Sequence, residues 1–481
     1  MPRTADRTAD GRWLDARAAA RLERRVAEGL RRARSSGAPT LVSITTMLAR
    51  GADPSAVVAG SRRAGEPWFC FEQPDRDGAA LAALGSVRAL EASGPDRFAE
   101  VQRRWRALAA HAVCDGGESD GPGGSGLVAL GGFAFASAGG AAPQWNGFAP
   151  ASLLVPELAL VRRAQRTWLT LNVDLAPDDI ADDALRRVAG RLSELRAEPL
   201  ALFDPSPVGA YEVASPMPPA HYEEAVARAV QRIRAGEMEK VVLAREVEVH
   251  APAGHDPAAV YGLLREAFPS SFVYAVGRGD ATFIGASPEL LIRREGQRAS
   301  TVALAGSARR SADPAVDDHL GEQLLRSDKD REENAIVARR IARTLRPHAV
   351  WVTAAPEPVL VRVANIQHLA APIRAQLASP IGAVELAGRL HPTPAVGAEP
   401  AAALDVIPAL EGFDRGWYAG PVGWTDAAGD GEFCVALRCA LLRGSVARCY
   451  AGCGIVRDSD PAAELAESEV KLQVMLPVLS G

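Results

Sequence analysis

Apolar positions recur along the chain at two different periods. Leu14, Ala18, Leu22, Val26 and Leu30 repeat at every fourth residue in an arginine-rich stretch, which predicts an amphipathic helix over 13–35. Further helices are predicted over 96–110, 179–196 and 222–236, the last stopped by Gly236 at a C′ position, and a long charged helix over 317–345. Short apolar runs bounded by turn residues predict strands at 41–47, 67–71, 127–135, 151–155, 167–173, 240–249, 272–276 and 282–285. Others are predicted at 359–363, 420–424, 434–441 and 447–451, with a hairpin from 290–294 and 299–304. The strands come in groups and do not alternate strictly with helices, and no GxGxxG, P-loop or solenoid repeat interrupts them. The pattern therefore predicts an α+β fold with mostly antiparallel sheets.

Residues 1–214 hold few polar constellations and read as scaffold. The Gly-, Asp- and Ser-rich stretch 115–126 reads as a loop. A Pro-rich passage from Pro205 to Pro219 leads into 215–481, and the two parts are expected to form one continuous body.

Composition narrows the classes. A chain of 481 residues, 48% hydrophobic and 23% charged, can bury a large core and has the make-up of a soluble globular protein. A net charge of -5 offers no electrostatic basis for nucleic-acid binding, so an anionic ligand needs a local positive site or a metal. The first residues lack an apolar h-region and no long uncharged apolar run follows, so neither export nor membrane insertion is expected. None of the six cysteines forms a CxxC pair, which leaves no sign of a zinc knuckle or redox motif and fits a cytoplasmic protein.

Several polar residues break the apolar pattern. Lys240 opens an apolar strand on the face shared by Val242 and Ala244; withdrawn from water it suits a general base, although an edge-strand lysine also fits. Glu289 stands between Gly285-Ala-Ser-Pro288 and an apolar run, a setting that raises a carboxyl pKa and suits a general acid or, equally, a turn in solvent. Glu333 lies in a run so charged that a solvated face is its plainest reading. The Gly306-Ser307 turn offers backbone N–H groups to a carboxylate. Arg438, read as lying within the strand 434–441, needs an anionic partner if it points inward. His391 and Thr393 sit in Leu-His-Pro-Thr-Pro, either rigidly presented or part of a connector, and His368 reads as a core histidine.

Near the C-terminus, Asp460-Pro461 reads as an N-cap and first helical position. Glu464, Glu467 and Lys471 then fall on one helical face. Two carboxylates on a stripe can share a hard cation such as Mg²⁺, and a lysine one turn on can meet an anion. Taken alone, the stripe reads first as a solvated helix face with ordinary charge pairs.

In order, Lys240-Val-Val-Leu-Ala-Arg, Phe283-Ile-Gly-Ala-Ser-Pro-Glu-Leu-Leu, Leu304-Ala-Gly-Ser-Ala-Arg-Arg and Ser327-Asp-Lys-Asp-Arg-Glu-Glu-Asn make one set of motifs. Leu390-His-Pro-Thr-Pro-Ala-Val, Phe413-Asp-Arg, Pro421-Val-Gly-Trp, Ala451-Gly-Cys-Gly-Ile-Val and Glu467-Ser-Glu-Val-Lys continue it. This series resembles the chorismate-utilising enzymes, a family that includes anthranilate synthase component I, aminodeoxychorismate synthase, isochorismate synthase and salicylate synthase. The likeness is dense over 215–480 and thinner before it, through Gly131-Gly-Phe-Ala-Phe135. It implies two stacked antiparallel sheets with helices outside and a site between them. It further implies Mg²⁺ held by Glu333 and Glu467 with Glu464 beside them, and chorismate held by Arg438, Lys471, His368 and the segments around Gly306, Ser307 and Gly452.

Ammonia-using members resemble this chain but carry a non-basic residue where Lys240 stands. Here lysine can deprotonate water, which points to the isochorismate-forming branch, with Glu289 as the acid for the departing C4 hydroxyl. No glutamine amidotransferase subunit is then expected, and a monomer is the default. Ala305 occupies the place of the covalent lysine of aminodeoxychorismate synthases, which argues against that route. Salicylate synthase, which adds pyruvate elimination, is the alternative; an inactive chorismate-binding relative fits less well, because a binder needs neither acid nor base. The chain departs from the family pattern at Cys453, Asn334 and Gln367, where alanine, histidine and an aromatic residue are usual.

Overall fold

The structure, a computed structural model, describes residues 13–115, 121–202, 209–363 and 366–480. The N-terminal residues, part of the 115–126 loop and part of the Pro-rich passage lie outside the described residues. Among the described residues two β-sheets are stacked, one of 13 strands and one of 10, with antiparallel pairing throughout except Thr40–Met47 beside Val113–Cys114. Strands from before and after residue 215 are hydrogen-bonded neighbours in both sheets, as Phe272–Arg278 beside Trp68–Gln73 and Pro421–Asp426 beside Val128–Phe133 show.

Alternation along the strands explains the stacking. In Trp68–Gln73, Phe69 and Phe71 enter the core between the sheets, while Trp68 and Cys70 enter a second core under the outer helices. At this strand both faces of the larger sheet are therefore apolar and both are covered. The helix Ala16–Ser36 covers one stretch with Leu22, Val26 and Leu30, each side chain worth roughly 1.5–3 kcal/mol when buried. Its start is fixed by Asp15, which accepts a hydrogen bond from the Ala18 amide at 2.7 Å, and its end by Gly37 at φ 69°. Close packing under it leaves no room at Gly29, where a Cβ would lie 2.5 Å from Val42 Cγ2. Gly29→Val would therefore lift the helix from the sheet.

Two sequence expectations are corrected. The stretch 317–345 is two helices, Pro314–Arg326 and Asp328–Leu345, because Ser327 leaves helical geometry at φ -70°, ψ 113° and caps the second by accepting from the Asp330 amide. The apolar run 434–441 is not one strand. Gly431–Val435 belongs to the smaller sheet and Cys439–Arg443 to the larger, and Arg438 lies at the turn between them with φ 50°. A left-handed residue ends both ladders there, which hydrophobicity alone does not register.

Candidate active site

The chain changes sheets a second time nearby. Ala281–Ser287 belongs to the larger sheet and Leu290–Glu295 to the smaller, with Pro288 and Glu289 between them. The two crossings run side by side: the Val435 amide donates to Glu289 O at 3.0 Å, the Ala286 amide to Arg438 O at 3.1 Å, and Ser287 Oγ to Val435 O at 2.5 Å. Backbone pairing thus places Glu289 and Arg438 at the wall of one cavity. Gly306, Ser307, Glu333, His368, Gly452, Glu467 and Lys471 line the same cavity. The predicted groups, drawn from far-separated motifs, converge.

Their charge states differ. Burial pushes the Glu289 carboxyl up to about 8, against the pull of Lys240, Arg438 and Lys471, so it is protonated at neutral pH. His368 is pushed down to about 3 by burial and then by Arg438 and Lys471, so it is neutral. Its Nε2 faces Arg438 Nη2 at 3.3 Å. Arg438 is itself buried, which lowers its pKa, and no carboxylate pairs with it among the described residues. A guanidinium withdrawn from water without a counter-charge is a receptor for an anion.

Lys240 stands one layer behind. It is completely buried at the start of the strand Lys240–His250, and its Nζ lies 2.8 Å from Glu333 Oε1, in contact without hydrogen-bond alignment. Gly454, which lines the cavity, lies against both groups: a Cβ there would clash with Glu333 Oε1 and lie 3.1 Å from Lys240 Nζ. Lys471 Nζ touches Glu467 Oε1 at 2.7 Å and donates to Gly452 O at 2.9 Å, while Ser307 Oγ donates to Glu467 Oε1 at 2.8 Å. Burial opposes ionisation of Glu467, but the charge and hydrogen bonds of Lys471 and Ser307 outweigh it and hold the carboxyl near 2. Glu464 is buried, its pKa raised by burial and then by Glu467, and it accepts from Lys329 Nζ at 3.0 Å.

Cys453 Sγ and carboxylate oxygens of Glu464 and Glu467 all lie within 4.8 Å of one another. Burial raises the thiol to about 12, so it stays protonated and offers nothing to a hard cation. The two carboxylates have the chemistry Mg²⁺ takes. Glu333, which the resemblance implied as a ligand, shares the cavity but is not one of that group, and Lys240 Nζ lies against it.

Other expectations resolve differently. His391 does not line the cavity; its Nε2 meets Phe135 O at 3.0 Å, so it belongs to the connector. Thr393 O accepts from the Val396 and Gly397 amides, which turns Ala395 and Val396 toward the cavity. Asn334 Nδ2 reaches Ala303 O and Leu369 O, both at 3.0 Å, fastening the Glu333 helix to two strands. Gln367 Nε2 reaches Arg309 O and Asp317 O, also a structural role. Sequence reasoning missed Tyr418 and Tyr450, which line the cavity with rings stacked 5.2 Å apart. It also missed the buried Glu411–Arg415 pair, in which Arg415 donates to Val396 O at 2.8 Å and Val242 O at 2.9 Å. The Phe413-Asp-Arg motif was the available signal for Arg415.

The profile of a family described as "Chorismate binding enzyme" matches residues 28–480. The chain belongs to this family. Among the relatives of this chorismate binding enzyme, the salicylate biosynthesis isochorismate synthase of Pseudomonas aeruginosa is 39% identical over 419 residues, 86% of this chain and 85% of the relative. The isochorismate synthase MenF of Bacillus subtilis is 35% identical over 357 residues, 74% of this chain and 75% of the relative. The solved structure of MenF, the menaquinone-specific isochorismate synthase from Escherichia coli, matches with a TM-score of 0.78 at 26% identity, covering 96% of this chain and 99% of that one. No described helix is long and apolar enough to cross a membrane.

Proposed function

We propose that this chorismate binding enzyme is an isochorismate synthase. The observation that carries the reading is Glu289, a carboxyl kept protonated up to a pH of about 8 on the same cavity wall as the carboxylate-free cation Arg438. A protonated acid beside an anion receptor suits a substrate that carries carboxylates and must lose a hydroxyl group.

Lys240 Nζ takes a proton from water as its oxygen bonds to C2 of chorismate. The two ring double bonds shift, and the C4–O bond breaks as Glu289 gives its proton to the departing hydroxyl, which leaves as water. One water enters and one leaves, so the product is an isomer. Arg438 and Lys471 bind carboxylate, and neutral His368 keeps the Arg438 guanidinium in place without competing for the anion. Ser307 and Lys471 orient Glu467. Glu333, Glu464 and Glu467 would hold Mg²⁺, which supplies a positive charge for the ring carboxylate of the substrate. Water is the nucleophile, so no ammonia-supplying subunit enters the scheme.

Incubation with chorismate and Mg²⁺ followed by chromatography and mass spectrometry tests the reading. It predicts one product with the mass of chorismate. Salicylate with pyruvate would assign the chain to the salicylate synthases, and binding without product would make it an inactive relative.

A further inference from the structure

Each of the three carboxylates assigned to Mg²⁺ already carries a lysine. Lys240 lies 2.8 Å from Glu333, Lys329 3.0 Å from Glu464 and Lys471 2.7 Å from Glu467. Lys240 and Lys471 have roles in the proposed reaction. Lys329 has none: it does not line the cavity, and 40% of its side chain is exposed.

Its position needs a reason. Lys329 is the second residue of the helix Asp328–Leu345, where the helix dipole disfavours a cation. It nevertheless turns its ammonium inward onto Glu464, whose carboxylate is 2% exposed and crowded by Glu467. A divalent cation reaching Glu464 therefore enters against an ammonium that already pairs with that carboxylate.

We propose that Lys329 sets the affinity of the site for Mg²⁺, as a built-in cation that competes with the metal for Glu464. This rests on the reading above, in which Glu333, Glu464 and Glu467 hold the metal. Lys329 is a positioning residue and touches no reacting atom. Taking away its charge leaves Glu464 to the metal, so Lys329→Met binds Mg²⁺ more tightly, on the order of tenfold in low salt. Lys329→Arg keeps the charge and binds as the unaltered chain does.

The experiment is calorimetric titration of the metal-stripped full-length protein with MgCl₂, without substrate, for the unaltered chain, Lys329→Met, Lys329→Arg, Glu464→Gln and the Lys329→Met/Glu464→Gln double variant. Tighter binding by Lys329→Met alone, unchanged binding by Lys329→Arg, and no further gain in the double variant over Glu464→Gln are expected. Equal or weaker binding by Lys329→Met, in a series where the unaltered chain does bind Mg²⁺, overturns the role of Lys329 and spares the metal assignment. Absence of Mg²⁺ binding in every variant overturns the metal assignment and the inference together. Circular dichroism melts confirm that each variant is folded.

Discussion

Lys240 Nζ and Glu333 Oε1 meet at 2.8 Å although they come from different elements, a strand of the larger sheet and a helix against the smaller one, and Gly454 is what allows them to meet. A Cβ at position 454 would overlap Glu333 Oε1 and come within 2.8 Å of Lys240 Cε. Gly454→Ala should therefore displace the base and cut kcat by about a hundredfold, since a misplacement near 1 Å is worth that much. Lys240→Ala should lose turnover and keep chorismate binding. Steady-state kinetics and calorimetric binding of chorismate check both.

Glu289 makes a pH prediction with a definite sign. Its folded pKa of about 8 lies above the ordinary 4.5, so the folded chain holds a proton that the unfolded chain has released between those values. Stability contributed by this group is full below about pH 4.5 and lost as pH rises towards 8. Glu289→Gln should remove that loss, so its melting temperature should gain on that of the unaltered chain as pH rises through this window. The same substitution should lower kcat by about 10²- to 10⁴-fold, and kcat/KM of the unaltered enzyme should fall above pH 8. A pH series of melting curves and rates reads both.

Arg438 carries a buried charge with no carboxylate of its own among the described residues. Arg438→Met should raise KM for chorismate by about a hundredfold, because the substrate loses its counter-charge. It should not lower the melting temperature, since the lone guanidinium costs desolvation in the free enzyme. Kinetics and thermal unfolding of the same preparation test the pair of outcomes.

Metal removal gives a further prediction. The carboxylates of Glu464 and Glu467 lie close enough to share a cation, and their repulsion helps to raise the Glu464 pKa. EDTA should abolish turnover and added Mg²⁺ should restore it; undiminished turnover in EDTA would refute the carboxylate assignment.

Much of this was legible in the residues. The two-residue period of strands such as Trp68–Gln73 encodes which side chains face which core, and the stacked-sheet fold follows. The motifs around Lys240, Glu289, Glu333 and Glu467 bring their groups to one region, as their resemblance implied. Conformation at single residues was hidden. Nothing in Cys434-Val-Ala-Leu-Arg-Cys-Ala-Leu marks Arg438 as left-handed, because the turn is set by sheet-to-sheet hydrogen bonds from Ala286 and Val435. The break at Ser327 was readable as a cap, with Asp330 three residues on, but the surrounding charge masked it. The same charge run concealed Lys329, whose inward turn depends on Glu464 far along the chain.

Turnover in H₂¹⁸O, with the product mass measured, tests the central claim most directly. If Lys240 and Glu289 exchange one hydroxyl for water, isochorismate forms with one ¹⁸O and a mass two units above that of chorismate. Isochorismate of unshifted mass would contradict water attack, and salicylate with pyruvate would contradict the assignment of the reaction.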